Sequence, residues 1–203
     1  NQCNLELKII LSIKNGEEPK IITAAHGYRN KVLVACYYDS GARRNELLSV
    51  NIGGVTFDEY GCRIYIRESK TQPRFVRMIY ASPFLRQWLD HHDRRDDPDT
   101  PVFCSSRPPY NRLSRGGLHI ALHDAAAGIK KRVHPHIYRH TRATEMARAG
   151  KQEAVMRESF GWEPLSDMPG IYTHLSPDDV DRERLAMDGI VKEEDKPVNP
   201  NIP

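Results

Sequence analysis

The segment from His134 to Tyr172 gathers side chains able to act on a phosphate. It opens with HPHIYRH and closes with GIYTHL. Pro135 suits the first position of a helix, so His136, Arg139 and His140 fall in the opening turns. Offsets of three and four residues put them on one face. A helix start favours an anion, and a guanidinium there can grip two phosphate oxygens through its planar fork. His136 can exchange a proton or donate a hydrogen bond nearby. The same pattern also fits an ordinary polar surface helix, and this segment alone does not choose between the two.

Other stretches supply what it lacks. In SGARRNELL, Arg43 follows a tight turn, and Glu46 lies one helical turn on, in reach of a salt bridge. Lys70 sits at a turn amid Arg63, Arg67, Arg74 and Arg77. With a pKa near ~10.4, its ammonium can protonate an alkoxide leaving group. Tyr172 is a poor nucleophile at a pKa of ~10, but becomes a competent one where cations or a base draw off its proton. Each also has a plain reading: a solvated ion pair, a solubilising lysine, a half-buried aromatic.

The elements that must position these groups are mostly helical. LELKIILSIKNG reads as a short amphipathic helix ending at Gly16. The apolar run Val32–Tyr38 suits a buried helix stopped by the Asp39-Ser40-Gly41 turn, after which a second helix starts at Arg43 with Leu47 and Leu48 inward. Residues 62–68 and 74–80 read as strands joined by the SKTQP turn, a hairpin with Lys70 at its tip. A helix over 81–93 begins with Ser82 as cap and Pro83. Another covers 113–132 with Ser114 as cap and runs into Lys130, Lys131 and Arg132. The segment 176–189 has Ser176, Pro177 and a first turn rich in acids, and the charged, Pro-rich tail 188–203 follows it. The expected fold is mainly α (α+β): one helical domain over residues 1–187 with a small antiparallel hairpin or sheet.

Composition narrows the function without naming it. The 203 residues carry 30 basic and 27 acidic side chains, a net charge of +3 that is too small to prove a polyanionic partner. Four cysteines include no CxxC pair, which favours reduced thiols over zinc ligation. No apolar run approaches the ~20 residues that span a bilayer. Asn1 in place of Met points to a trimmed fragment. Asp96, Asp97 and Asp99 suit a solvated loop better than a metal nuclease. His134, His136 and His140 lack a fourth ligand at zinc spacing.

Taken in order, these residues resemble the tyrosine recombinase (phage integrase) family. Its pattern is an arginine in a G-x-R-x-x-E-L context, a hairpin lysine, H-x-x-R-H, a Trp or His after Gly, and a terminal tyrosine. Here it reads Gly41-Ala42-Arg43-Arg44-Asn45-Glu46-Leu47, Lys70, His136-Ile137-Tyr138-Arg139-His140, Gly161-Trp162 and Tyr172-Thr173-His174. The resemblance covers about residues 20–185, and FGWEPLSDMPGIYTHLS is especially like archaeal members.

The resemblance implies that Tyr172 attacks a DNA phosphodiester, leaving a 3′-phosphotyrosine and a free 5′-hydroxyl. A type IB topoisomerase-like activity, or a DNA-binding accessory protein with a degenerate site, would be the alternatives. Arg43 and Arg139 would stabilise the transition state, and Lys70 would protonate the leaving oxygen. His136 would assist Tyr172 as base or hydrogen-bond the phosphate. Trp162 and His140 would brace the site, and Glu46 would orient Arg43. Neither cofactor nor metal is implied. Arg44, Arg74, Lys130, Lys131 and Arg132 are the expected DNA contacts. The implied partners are double-stranded DNA and further copies of the chain, as a tetramer on DNA, in the cytoplasm with the nucleoid and without a membrane. Three departures stand out. Arg44 replaces a usually apolar residue and should point outward. Tyr138 replaces a leucine and should fill its core position, with a hydroxyl in need of a partner. The family's usual N-terminal DNA-clamping domain is not expected within this chain.

Overall fold

The computed structural model describes residues 25–105, 107–126 and 134–172, with residues 181, 184 and 185. The expected helix before Gly16, the basic run 130–132, Thr173, His174, the 176–189 segment except for those three residues, and the tail lie outside them.

Helix α1 (Tyr28–Ser40) is the central element, with Val32 to Tyr37 buried along it. It packs against the helices Ser82–Asp90, Arg115–Ala126 and Pro135–Arg148 and the strand Arg74–Met78. The helix runs through Asp39 and Ser40, which were expected to stop it. Both polar groups are satisfied without breaking the turn: Ser40 Oγ donates to Cys36 O, and the Asp39 carboxylate accepts the amides of Ile79 and Ala81. Gly41 ends the helix at φ 57°, the left-handed conformation that glycine adopts without steric cost. A side chain there would also collide, since a Cβ would lie 2.6 Å from the Phe160 ring.

After α2 (Arg44–Ser49) come β1 (Val55–Asp58), β2 (Gly61–Ile66) and β3 (Arg74–Met78), an antiparallel sheet in the order β1-β2-β3. The hairpin was expected and pairs Ile66 with Arg74 and Cys62 with Met78. The first strand was not expected. Its four residues alternate only between half-buried and exposed, so the sequence carries little signal. One face of the hairpin, Cys62, Ile64, Ile66, Val76 and Met78, enters the main core.

Helix α3 (Ser82–Asp90) starts at Ser82 with Ala81 at the cap, one position earlier than expected, and stops short of residue 93. Helix α4 (Arg115–Ala126) is preceded by Ser114, whose hydroxyl accepts the Gly117 amide as a cap. Helices α5 (Pro135–Arg148), α6 (Glu153–Phe160) and α7 (Met168–Tyr172) follow. Pro135 takes the first helical position after His134, as expected. Ala143, Met156, Phe160, Trp162 and Tyr172 form a second, smaller core. Among the described residues no helix is long and apolar enough to cross a membrane.

Tyr138 occupies the main core at 2 % exposure, stacked on Tyr37 with centroids 6.4 Å apart. Its hydroxyl is buried with no hydrogen-bond partner. An unsatisfied buried hydroxyl costs about 1–3 kcal/mol, so Tyr138→Phe should raise stability by about 1 kcal/mol in urea denaturation. A lower midpoint would show that the hydroxyl does have a partner.

Candidate active site

Two arginines tie helix ends together. Arg139, on the second turn of α5, is 6 % exposed. It donates from Nη1 to Gly41 O at 3.1 Å and from Nη2 to Phe160 O at 2.6 Å. Those carbonyls lie at the C-terminal ends of α1 and α6, where unpaired oxygens carry partial negative charge. The guanidinium also lies over the Phe160 and Trp162 rings, at 5.0 and 5.8 Å from their centroids. Burial, and then the neighbouring Arg43 charge, pull its pKa down to about 9, and it remains a cation at neutral pH.

Arg43 makes the second tie. Its Nη2 donates to Gly161 O at 2.8 Å, and its Nη1 meets Glu46 Oε1 at 2.7 Å. The Arg43 amide donates to the other Glu46 oxygen, so the carboxylate caps α2 while it holds the side chain. Gly161 closes α6 at φ 58°. A Cβ there would lie 2.8 Å from an Arg74 nitrogen, so the backbone needs glycine for both its conformation and its close approach.

Glu46 is the shared counterion. Arg74 meets it with both terminal nitrogens, at 3.0 and 2.8 Å, and both side chains are 2 % exposed. Ser69 Oγ donates to the same carboxylate at 2.8 Å, and Thr71 Oγ1 donates to Gly161 O at 3.0 Å. Burial alone would raise the Glu46 pKa, but the hydrogen bonds and charges of Arg74 and Arg43 outweigh it and hold the carboxyl at about 2.

Tyr172 ends α7 and is 3 % exposed. Its ring lies parallel to Trp162, with centroids 5.7 Å apart and planes 5° apart, and Trp162 stacks in turn on Phe160. Its hydroxyl contacts His140 Nδ1. His136 is exposed on the same face of α5. Partial burial and the surrounding charge of His134, Arg139, Arg44 and Arg43 lower its pKa, so it is neutral at pH 7.

The structure therefore joins Arg43, Glu46, Arg139, Trp162, His140 and Tyr172 in one connected set, with His136 facing its arginines. Lys70 is exposed between Ser69 and Thr71, each bonded into the set. Arg44 points outward, as expected. Arg74 is a correction. Expected among the DNA contacts, it is buried against Glu46 and donates to Ser159 O. Its position opposite Ile66 at the start of β3 faces the interior. Lys130, Lys131 and Arg132 lie outside the described residues. Sequence reasoning missed Ser69, Thr71 and the Gly161 carbonyl. The two hydroxyls looked like turn formers, and no side-chain pattern marks a backbone oxygen. Among the described residues no group of three or more His, Cys, Asp or Glu side chains is placed to hold a metal ion.

This fold and its cationic, tyrosine-bearing site define a class. The sequence profile of the phage integrase family matches residues 12–178, and the chain belongs to that family. It is 30 % identical over 155 residues to the tyrosine recombinase XerC of Shewanella sp. (strain ANA-3), covering 72 % of this chain and 48 % of that protein. With XerC of Anoxybacillus flavithermus the identity is 26 % over 165 residues, covering 77 % and 53 %. The chain thus spans about half the length of these relatives. The crystal structure of XerA recombinase superposes with a TM-score of 0.61 at 25 % identity, covering 92 % of this chain and 63 % of that one. The Tn1549 transposon integrase in complex with a circular intermediate DNA shares the fold at a TM-score of 0.67 and 14 % identity, covering 86 % and 65 %.

The Glu46 cluster sets an acid limit on stability. Its carboxyl titrates at about 2 in the folded chain against an ordinary 4.5, a difference of ~3 kcal/mol. A depressed pKa stabilises the fold fully above the unfolded value, and that stability is lost as pH falls through the folded one. Denaturation midpoints should therefore drop between about pH 4.5 and about pH 2. Glu46→Gln should start lower by about 3 kcal/mol, because it strands two guanidinium groups, and should lack this part of the slope.

Proposed function

We propose that the chain is the catalytic part of a site-specific DNA recombinase that cuts and rejoins strands through a 3′-phosphotyrosyl intermediate on Tyr172. The observation that carries this reading is the docking of Tyr172. Its hydroxyl lies against α5, the helix that also presents Arg139 and His136, with Arg43 across the Gly161 carbonyl.

The chemistry follows from the geometry. A phosphodiester under attack gathers negative charge on its non-bridging oxygens, and Arg43 and Arg139 are fixed cations for that charge. Held by carbonyls and a carboxylate beforehand, they need little reorganisation in the transition state. His136, neutral at pH 7 and open to solvent, can donate a hydrogen bond to a phosphate oxygen. Lys70 stands exposed on a loop anchored at both neighbours and supplies the proton for the leaving 5′-oxygen. The phosphotyrosine keeps the energy of the broken bond, so rejoining requires only the attacking 5′-hydroxyl.

Double-stranded DNA is the substrate in this reading. XerH recombinase has been solved bound to its difH substrate, and the Tn1549 integrase with its circular intermediate DNA. Arg44 lies exposed at the start of α2 to meet the backbone, and Lys130, Lys131 and Arg132, outside the described residues, are further candidate contacts by sequence alone. Assembly as a tetramer on paired sites, in the cytoplasm with the nucleoid, belongs to the same proposal.

Covalent capture tests it. Incubated with a library of nicked duplexes, the chain should form SDS-stable protein–DNA adducts, and Tyr172→Phe should form none. Adducts that persist in Tyr172→Phe would place the nucleophile elsewhere. Supercoil relaxation without strand exchange would favour a topoisomerase. Arg139→Ala should slow adduct formation by ~10²–10³-fold while non-specific binding survives, and cleavage at the normal rate would remove Arg139 from the phosphate site. Binding should weaken linearly in log salt, with a slope near −0.9 for each phosphate neutralised.

A further inference from the structure

Phosphoryl attack by Tyr172 requires that its hydroxyl lose a proton, which a phenol of pKa ~10 holds at neutral pH. A histidine lies in reach. The Tyr172 hydroxyl contacts His140 Nδ1, and the two rings lie 5.8 Å apart at 45°. The phenol has little freedom to turn elsewhere, being 3 % exposed and stacked in parallel on Trp162. In the tautomer with its proton on Nε2, His140 presents the Nδ1 lone pair to the hydroxyl, and this is the form of imidazole that can take a proton.

His136 is placed for a different task. Partial burial, and then the charge of His134, Arg139, Arg44 and Arg43 around it, lowers its affinity for a proton. An imidazole set among cations is a weak base and a ready hydrogen-bond donor to an anion.

We propose that His140 is the general base that takes the proton of Tyr172 during strand cleavage. This rests on Tyr172 being the nucleophile. As the Tyr172 oxygen bonds to phosphorus, its proton passes to His140 Nδ1. The bond from phosphorus to the 5′-oxygen breaks, and that oxygen takes a proton from Lys70. The covalent intermediate then holds a protonated His140 and a neutral Lys70. Rejoining runs in reverse: the incoming 5′-hydroxyl gives its proton to Lys70, and His140 returns one to the departing tyrosine.

Single-turnover cleavage of a nicked duplex by the full chain tests the assignment. His140→Ala should cut about 100-fold more slowly while keeping the native circular dichroism spectrum, and free imidazole in the buffer should restore part of the rate in proportion to its concentration. A merely structural histidine gives no such response. Cleavage within about threefold of wild type, or slow cleavage indifferent to imidazole, would overturn the proposal. So would imidazole rescue of His136→Ala instead. If the alanine variant fails to fold, His140→Asn keeps an acceptor without a basic nitrogen. It should be as slow, and a normal rate would refute the base. A wild-type chain that forms no adduct removes the Tyr172 assignment itself, and the base with it, a result distinct from all of these.

Discussion

A site that binds a phosphate must hold its cations close together when no phosphate is there. Arg43, Arg74 and Arg139 repel one another, and burial removes the water that would screen them. Glu46 answers much of that charge from 2 % exposure, with hydrogen bonds to both Arg43 and Arg74. Helix-end carbonyls answer the rest: Gly41 O and Phe160 O for Arg139, Gly161 O for Arg43. The rest of the site depends on this arrangement. It fixes the guanidinium groups in place, which for the proposed reaction is the condition for electrostatic catalysis without reorganisation.

The same bonds join parts of the fold that share little apolar contact. The main core collects α1, the sheet and α3 to α5, whereas Phe160, Trp162 and Tyr172 belong to a smaller cluster. Arg139 reaches from the end of α1 to the end of α6, and Ser69 and Thr71 anchor the β2–β3 loop to Glu46 and Gly161. The proposed catalytic groups, drawn from distant stretches, are thus registered by polar contacts. Two left-handed glycines, Gly41 and Gly161, make this possible by turning helix-end carbonyls toward the arginines without a Cβ in the way.

Stacking does for Tyr172 what hydrogen bonding does for the arginines. A tyrosine at the end of a five-residue helix has little local reason to hold one position. The Phe160–Trp162–Tyr172 stack and the His140 contact supply it. Imidazoles one turn apart on α5 thereby meet different surroundings: His136 faces cations and His140 faces the phenol.

The sequence by itself determined the family and the mainly helical fold with its hairpin, and it singled out Arg43, Glu46, Lys70, His136, Arg139, Trp162 and Tyr172 as the candidates proposed above. The Ser114 cap, the Pro135 helix start and the H-x-x-R-H spacing are local, and local physics made them legible. It also placed Tyr138 in the core and Arg44 on the surface. Tertiary structure decided what depends on neighbours far along the chain. Arg74 looked like a DNA contact because a strand of alternating residues has two faces, and nothing local says which is buried. It became the inner partner of Glu46. The strand Val55–Asp58 needed its pairing with β2 to exist. Which histidine meets Tyr172 was set by α7 docking across α5, a contact between residues 32 apart in sequence. Spacing along the chain pointed to the proposed reacting groups, but only packing in three dimensions could assign their partners.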